Sequence, residues 1–102
     1  MKRTTTPLIE FELPFDYDKL VSKFIISFSQ QGKLIVQKTE QDDGVKTNGN
    51  VISFKLTQEE TALFNVGVIR VEIKILTLGN DVIASDIIHT TVEEVLNDKV
   101  FL

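Results

Sequence analysis

Residues 56–92 read LTQEETALFNVGVIRVEIKILTLGNDVIASDIIHTTV, and the middle of that stretch decides the fold class. Ile69, Val71, Ile73 and Ile75 alternate with Arg70, Glu72 and Lys74, which is the period of a strand with one buried face and one wet face. Gly79-Asn80-Asp81 then supplies residues that tolerate a tight reversal, so the chain returns as a second long strand. The returning arm is apolar at both parities, Val82 and Ala84 followed by Ile87 and Ile88. That pattern predicts a register shift through a bulge or bend near Ser85-Asp86. Upstream, Thr57 and Glu60 have the spacing of a capping box, in which the hydroxyl accepts the N3 amide while the N3 carboxylate reaches back to the cap amide. A short helical turn is therefore expected to start at Thr57 and to stop at Asn65-Val66-Gly67.

Residues 2–6 read as a polar leader, after which Pro7 opens an alternation of Ile9, Phe11 and Leu13 against Glu10 and Glu12. A proline at its head suits an edge strand. Pro14 closes it, and the connector over residues 15–21 is expected to make a helical turn capped by Asp16 or Asp18, its aromatics plugging one end of the core. Phe24, Ile26 and Phe28 share one face of the next strand, Gln31-Gly32 turns it, and Leu34 and Val36 alternate with Lys33, Ile35 and Gln37 to form a hairpin. Residues 40–50, EQDDGVKTNGN, carry the turn signals Asp43-Gly44 and Asn48-Gly49 around a short strand at 45–47. Ile52, Phe54 and Leu56 then point inward. About seven short antiparallel strands with one helical turn near Thr57 describe an all-β, immunoglobulin-like β-sandwich forming a single domain over residues 1–102. A small barrel is the alternative. Phe11, Phe24, Ile26, Phe28, Leu34, Ile52, Phe54, Val71 and Ile73 are the expected core.

The chain of 102 residues has 42% hydrophobic and 25% charged residues, ordinary proportions for a folding domain. It has no cysteine, which excludes disulfides and thiolate chemistry. Fifteen acidic against 11 basic residues give a net charge of -4, with the basic residues scattered, so nucleic acid is not an expected partner. No apolar run approaches the ~20 residues of a membrane span or forms a signal-peptide core. No membrane association and synthesis in the cytoplasm are the expectations. His89 is the only histidine and has no second imidazole or thiolate with which to hold a metal. No serine sits in a nucleophile elbow. The pairs Asp16/Asp18, Asp42/Asp43, Glu59/Glu60 and Glu93/Glu94 read as caps, turn residues and a helix N-terminus rather than a calcium loop or an acid/base pair. The sequence therefore points to no catalytic residue, no cofactor and no metal.

Leu56-Thr57-Gln58-Glu59-Glu60-Thr61, Phe64, Gly67, the alternating strand at 69–75, Gly79-Asn80-Asp81 and Val82-Ile83-Ala84-Ser85 together resemble small immunoglobulin-like modules of tailed phages and prophages of Gram-positive bacteria. The layout is similar to the N-terminal domains of phage baseplate upper proteins. The resemblance covers about the C-terminal half of the chain. It implies a non-enzymatic structural or assembly component of a virion, tail or baseplate, acting through protein-protein contacts with its own copies or with other phage assembly proteins. The second reading is a stand-alone binding module for a host protein or a glycan. An exposed aromatic cluster would favour that module; a self-complementary edge or an apolar tail would favour assembly.

Residues 93–102 read EEVLNDKVFL. Val92, Val95, Leu96 and Val100 fall near one helical face, which suggests a short amphipathic helix, with continuing strand as the alternative. Val95, Leu96, Val100, Phe101 and Leu102 are the candidate protein-interface residues. Such a segment either folds back over its own sandwich or docks on a neighbouring copy or another assembly protein, covering what is otherwise an exposed apolar patch.

Overall fold

The computed structural model describes residues 1–85, 88–97 and 99–101. Its elements run β1 (Leu8–Glu12), α1 (Tyr17–Leu20), β2 (Val21–Gln30), β3 (Lys33–Thr39), β4 (Lys46–Asn48), β5 (Val51–Lys55), α2 (Gln58–Ala62), β6 (Gly67–Thr77), β7 (Val82–Ala84) and β8 (Ile88–Val92). They form two antiparallel sheets, β1-β5-β4 and β3-β2-β6-β7, with β8 pairing the other half of β6. Two separate sheets exclude the barrel alternative, and the fold is an all-β sandwich. Eight strands among the described residues replace the seven expected, because the arm returning along β6 is divided.

That division is the expected register shift. Ile75 faces Ile83 along β7, whereas Arg70 faces His89 along β8, so the pairing offset differs by one residue between the halves. Ser85 closes the gap: its N–H donates to the Ile73 carbonyl at 2.8 Å and its Oγ accepts from the Ile73 N–H at 3.0 Å. Both backbone groups of Ile73 stay satisfied although the ladder breaks beside them. Asp86, the other residue of the expected shift, lies outside the described residues, as does Ile87.

The inward faces meet in one core in which Phe24, Ile26, Phe28, Ile52, Phe54, Val71 and Ile73 are all buried, as the alternation predicts. Phe28 joins the layers, its ring lying edge-on to Phe54 with centroids 6.2 Å apart and tilted against Phe64 at 6.2 Å. Such contacts add modestly to the area that aromatics bury. Tyr17 meets Phe24 edge-on at 5.8 Å, so the connector does plug one end. Phe11 is half-buried, stacked on Phe54 from β1.

Leu34 does not belong to the core: it is 58% exposed. The β2-β3 register shifts at Phe28/Ser29, so Val36 faces Phe28 while Leu34 faces Ser29. The extra residue, Ile35, reverses parity at that point, since a one-residue slip moves every following side chain to the opposite face. The turn at α1 is also differently made. Asp16 stands at the N-cap position without a side-chain hydrogen bond, and neither it nor Asp18 caps α1. The short strand expected at 45–47 lies one residue later, at β4.

Candidate functional site

Residues 57–65 form the junction on which distant parts of the chain converge. The capping box is present as the sequence predicts: Thr57 Oγ1 accepts the Glu60 N–H at 3.0 Å and Glu60 Oε1 accepts the Thr57 N–H at 2.9 Å. The other Glu60 oxygen meets Lys38 Nζ at 2.8 Å. Lys38 faces the buried Ile26 across β2-β3, so this ion pair clasps the edge of one sheet to the helix leaving the other. Burial pushes the Glu60 carboxyl up, but the Lys38 hydrogen bond, the Thr57 N–H and the Lys38 charge outweigh it and hold the pKa below the ordinary value.

Three further side chains act as staples. Gln30 is buried and exchanges two bonds with Asn65, donating to its carbonyl at 2.7 Å and accepting its N–H at 2.8 Å. Thr61 is fully buried; its hydroxyl donates to the Thr5 carbonyl at 2.9 Å and accepts the Thr5 N–H at 3.0 Å. Arg3 donates from Nε to the Phe64 carbonyl at 2.8 Å and from its guanidinium to the Ala62 carbonyl at 2.9 Å. These are carbonyls at the end of α2 that have no partner within the helix. The polar leader is thus an anchor strap. Gln30 carried one signal in the sequence, a polar residue at the inward parity of Phe24, Ile26 and Phe28; Arg3 and Thr61 carried none.

The candidate interface segment lies against this junction. Lys2 and Glu93 form a parallel bridge in which the Glu93 N–H donates to the Met1 carbonyl at 2.6 Å and the Arg3 N–H reaches the Glu93 carbonyl at 3.4 Å. At the other end Gln58 holds Phe101 through both its backbone groups, accepting the Phe101 N–H at 2.9 Å and donating to the Phe101 carbonyl. The amphipathic helix expected here is not formed among the described residues of 93–101. Strand-type bonding extends the backbone at Glu93, Asn97 Oδ1 takes the Lys99 N–H at 3.0 Å, and so short a segment does not repay helix nucleation. Val95 and Val100 are half-buried. Leu96 is fully exposed and Phe101 is 85% exposed. Leu102 lies outside the described residues. The segment's backbone is bonded to its own domain at Glu93 and at Phe101, while its two largest described apolar side chains face solvent.

The polar residues weighed for chemistry are dispersed. His89 is exposed on β8 opposite Arg70. Asp42 accepts the Thr39 N–H at 2.6 Å as a turn residue, and Glu40 accepts the Phe24 N–H at 3.1 Å. Burial, with the Glu40 and Asp18 charges, pushes the Tyr17 phenol up. Among the described residues no three His, Cys, Asp or Glu are grouped to hold a metal ion, and no helix is long and apolar enough to cross a membrane. Phe101 is the one exposed aromatic residue among them. Compared with protein-family models, with curated proteins and with solved structures, the chain finds no match.

Proposed function

We propose that this chain is a non-enzymatic assembly protein that works through protein-protein contacts, with residues 93–101 as its contact segment. The observation that carries the reading is the pairing of a fixed backbone with free apolar side chains. Gln58 and the Met1-Arg3 strap hold both ends of the segment, yet Leu96 and Phe101 gain nothing from the domain that holds them. Apolar side chains presented to water from an anchored backbone have the character of a surface waiting for a partner. The phage virion, tail or baseplate setting follows from the resemblance of residues 56–85. The strand order supports the immunoglobulin-like part of that resemblance. Lettering β1 to β6 as B, C, C′, D, E and F, and β7 with β8 as G, puts B-E-D in one sheet and C′-C-F-G in the other, the arrangement of that sandwich family. The alternative, a binding module for a host protein or a glycan, calls on an aromatic platform, and the described surface offers an apolar segment instead.

The test compares the wild type with Leu96→Ser/Phe101→Ser by light scattering and thermal melting. Both side chains are exposed, so the melting midpoint is expected to hold while the association of the wild type is lost. Association unchanged by the double substitution would overturn the reading.

A further inference from the structure

The outer face of the five-stranded sheet carries a groove whose chemistry is the complement of the contact segment. Lys23 faces Leu76 and Ile25 faces Lys74 across β2-β6, and Val82 continues the row on β7. Two lysines and two apolar residues therefore alternate as a checkerboard. Diagonal positions on neighbouring antiparallel strands lie about 7–8 Å apart, so both ammonium groups can flank one apolar floor. The groove encloses about 380 Å³. Ile25 and Val82 are 38% and 59% exposed, and neither lysine is ion-paired among the described residues. Glu40 also lines it, with its carboxylate turned to the Phe24 N–H. In a chain of net charge -4, this is an apolar hollow edged by cations.

The contact segment begins Glu93-Glu94-Val95-Leu96, two exposed carboxylates followed by a half-buried valine and a fully exposed leucine. It leaves β8 where Val92 faces Gly67, at the start of β6, whereas the groove lies at residues 74–76 near the end of that strand. Seven or more strand residues separate them, about 25 Å at 3.3 Å per residue. The three residues beyond Glu93 reach only about 10 Å fully extended, so the segment cannot enter its own groove.

We propose that residues 93–96 of one copy dock into the Lys23/Lys74 groove of a second copy, Leu96 entering the apolar floor between Ile25 and Val82 and the Glu93 and Glu94 carboxylates meeting the two lysines. The proposal rests on the assembly reading above and names its partner. The surfaces joined are different ones at opposite ends of the domain, so two copies close as a twofold pair only by making the contact twice, and a single contact repeated from copy to copy builds rings or open chains.

The experiment is sedimentation velocity over a concentration series at low and high salt, with three variants at exposed positions: Lys23→Glu/Lys74→Glu, Glu93→Lys/Glu94→Lys, and the four substitutions combined. The wild type is expected to associate, less so at high salt. Each double variant alone should associate about 10- to 100-fold more weakly. Their equal mixture should recover association by alternating the two proteins, since each segment then meets a groove of opposite charge, and the fourfold variant, with both charges exchanged, should recover association by itself. If Leu96→Ser/Phe101→Ser dissolves the assembly while Lys23→Glu/Lys74→Glu does not, the contact segment stands and the groove assignment falls. Failure of the fourfold variant to recover overturns the proposal, as does a wild type that stays monomeric. Should dodecanoate shift the Ile25 and Val82 amide resonances of such a monomer, the groove takes a free acyl carboxylate instead.

Discussion

Replacing Thr61 with valine removes one hydroxyl and keeps the shape of the side chain. That hydroxyl donates to the Thr5 carbonyl at 2.9 Å, accepts the Thr5 N–H at 3.0 Å and lies 3.2 Å from the Gln58 carbonyl. Thr61 is fully buried and Thr5 half-buried, so the strap loses two bonds in a place that water reaches on one side only. Each neutral bond contributes about 0.5–1.5 kcal/mol, and a partner left unpaired when buried costs more. The added methyl offsets part of this by about 0.8 kcal/mol. The expected net loss is about 1–2 kcal/mol, or a fall of about 4–10 °C in Tm for a domain of this size. Thr61→Ser separates the causes, because it keeps the hydroxyl and gives up the buried methyl. Hydrogen exchange at the Thr5 amide, read beside thermal melting, is the assay: exchange should accelerate in Thr61→Val and stay slow in Thr61→Ser. A Thr61→Val protein with an unchanged midpoint and a protected Thr5 amide would show that the strap is not held by this residue.

Three other outcomes are expected. Because the Glu60 pKa is held below its ordinary value, its contribution to stability is fully present above the unfolded carboxylate pKa near about 4.3 and is lost as pH falls through the lower folded value; Lys38→Met should flatten that acid limb in urea titrations, and an identical limb would refute the clasp. Thr57→Ala should cost about 1 kcal/mol of stability through the lost cap, with Thr57→Ser nearly neutral, and equal midpoints for all three proteins would refute the capping role. Gly67 has φ +133 with open space where a Cβ would sit, so Gly67→Ala should cost about 1–3 kcal/mol from backbone strain alone; a melting curve that matches the wild type would count against this.

The alternations at 24–28, 52–56 and 69–75 determined the strands and most of the core, since strand periodicity is written in adjacent residues and survives any pairing order. The capping box was equally readable, because Thr57 and Glu60 are one helical turn apart and their two bonds close locally. The shift near Ser85 was visible as a clash of parities within a few residues. Leu34 was misplaced because its parity is reset by pairing with β2, and nothing in KLIV marks which residue forms the bulge. The staples were hidden for the same reason at longer range: Thr61 to Thr5 spans 56 residues, Gln30 to Asn65 spans 35, and Gln58 to Phe101 spans 43. A glutamine or a threonine looks the same in sequence whether it faces water or satisfies a distant backbone pair. The course of the described residues of 93–101 was settled in this way as well. Its helical pattern is a local preference worth little in so short a segment, and bonds to Met1, Arg3 and Gln58 outweigh it. The checkerboard of Lys23, Ile25, Lys74 and Leu76 likewise exists only once β2 and β6 are in register, because strand pairing alone brings residues some fifty positions apart onto one surface.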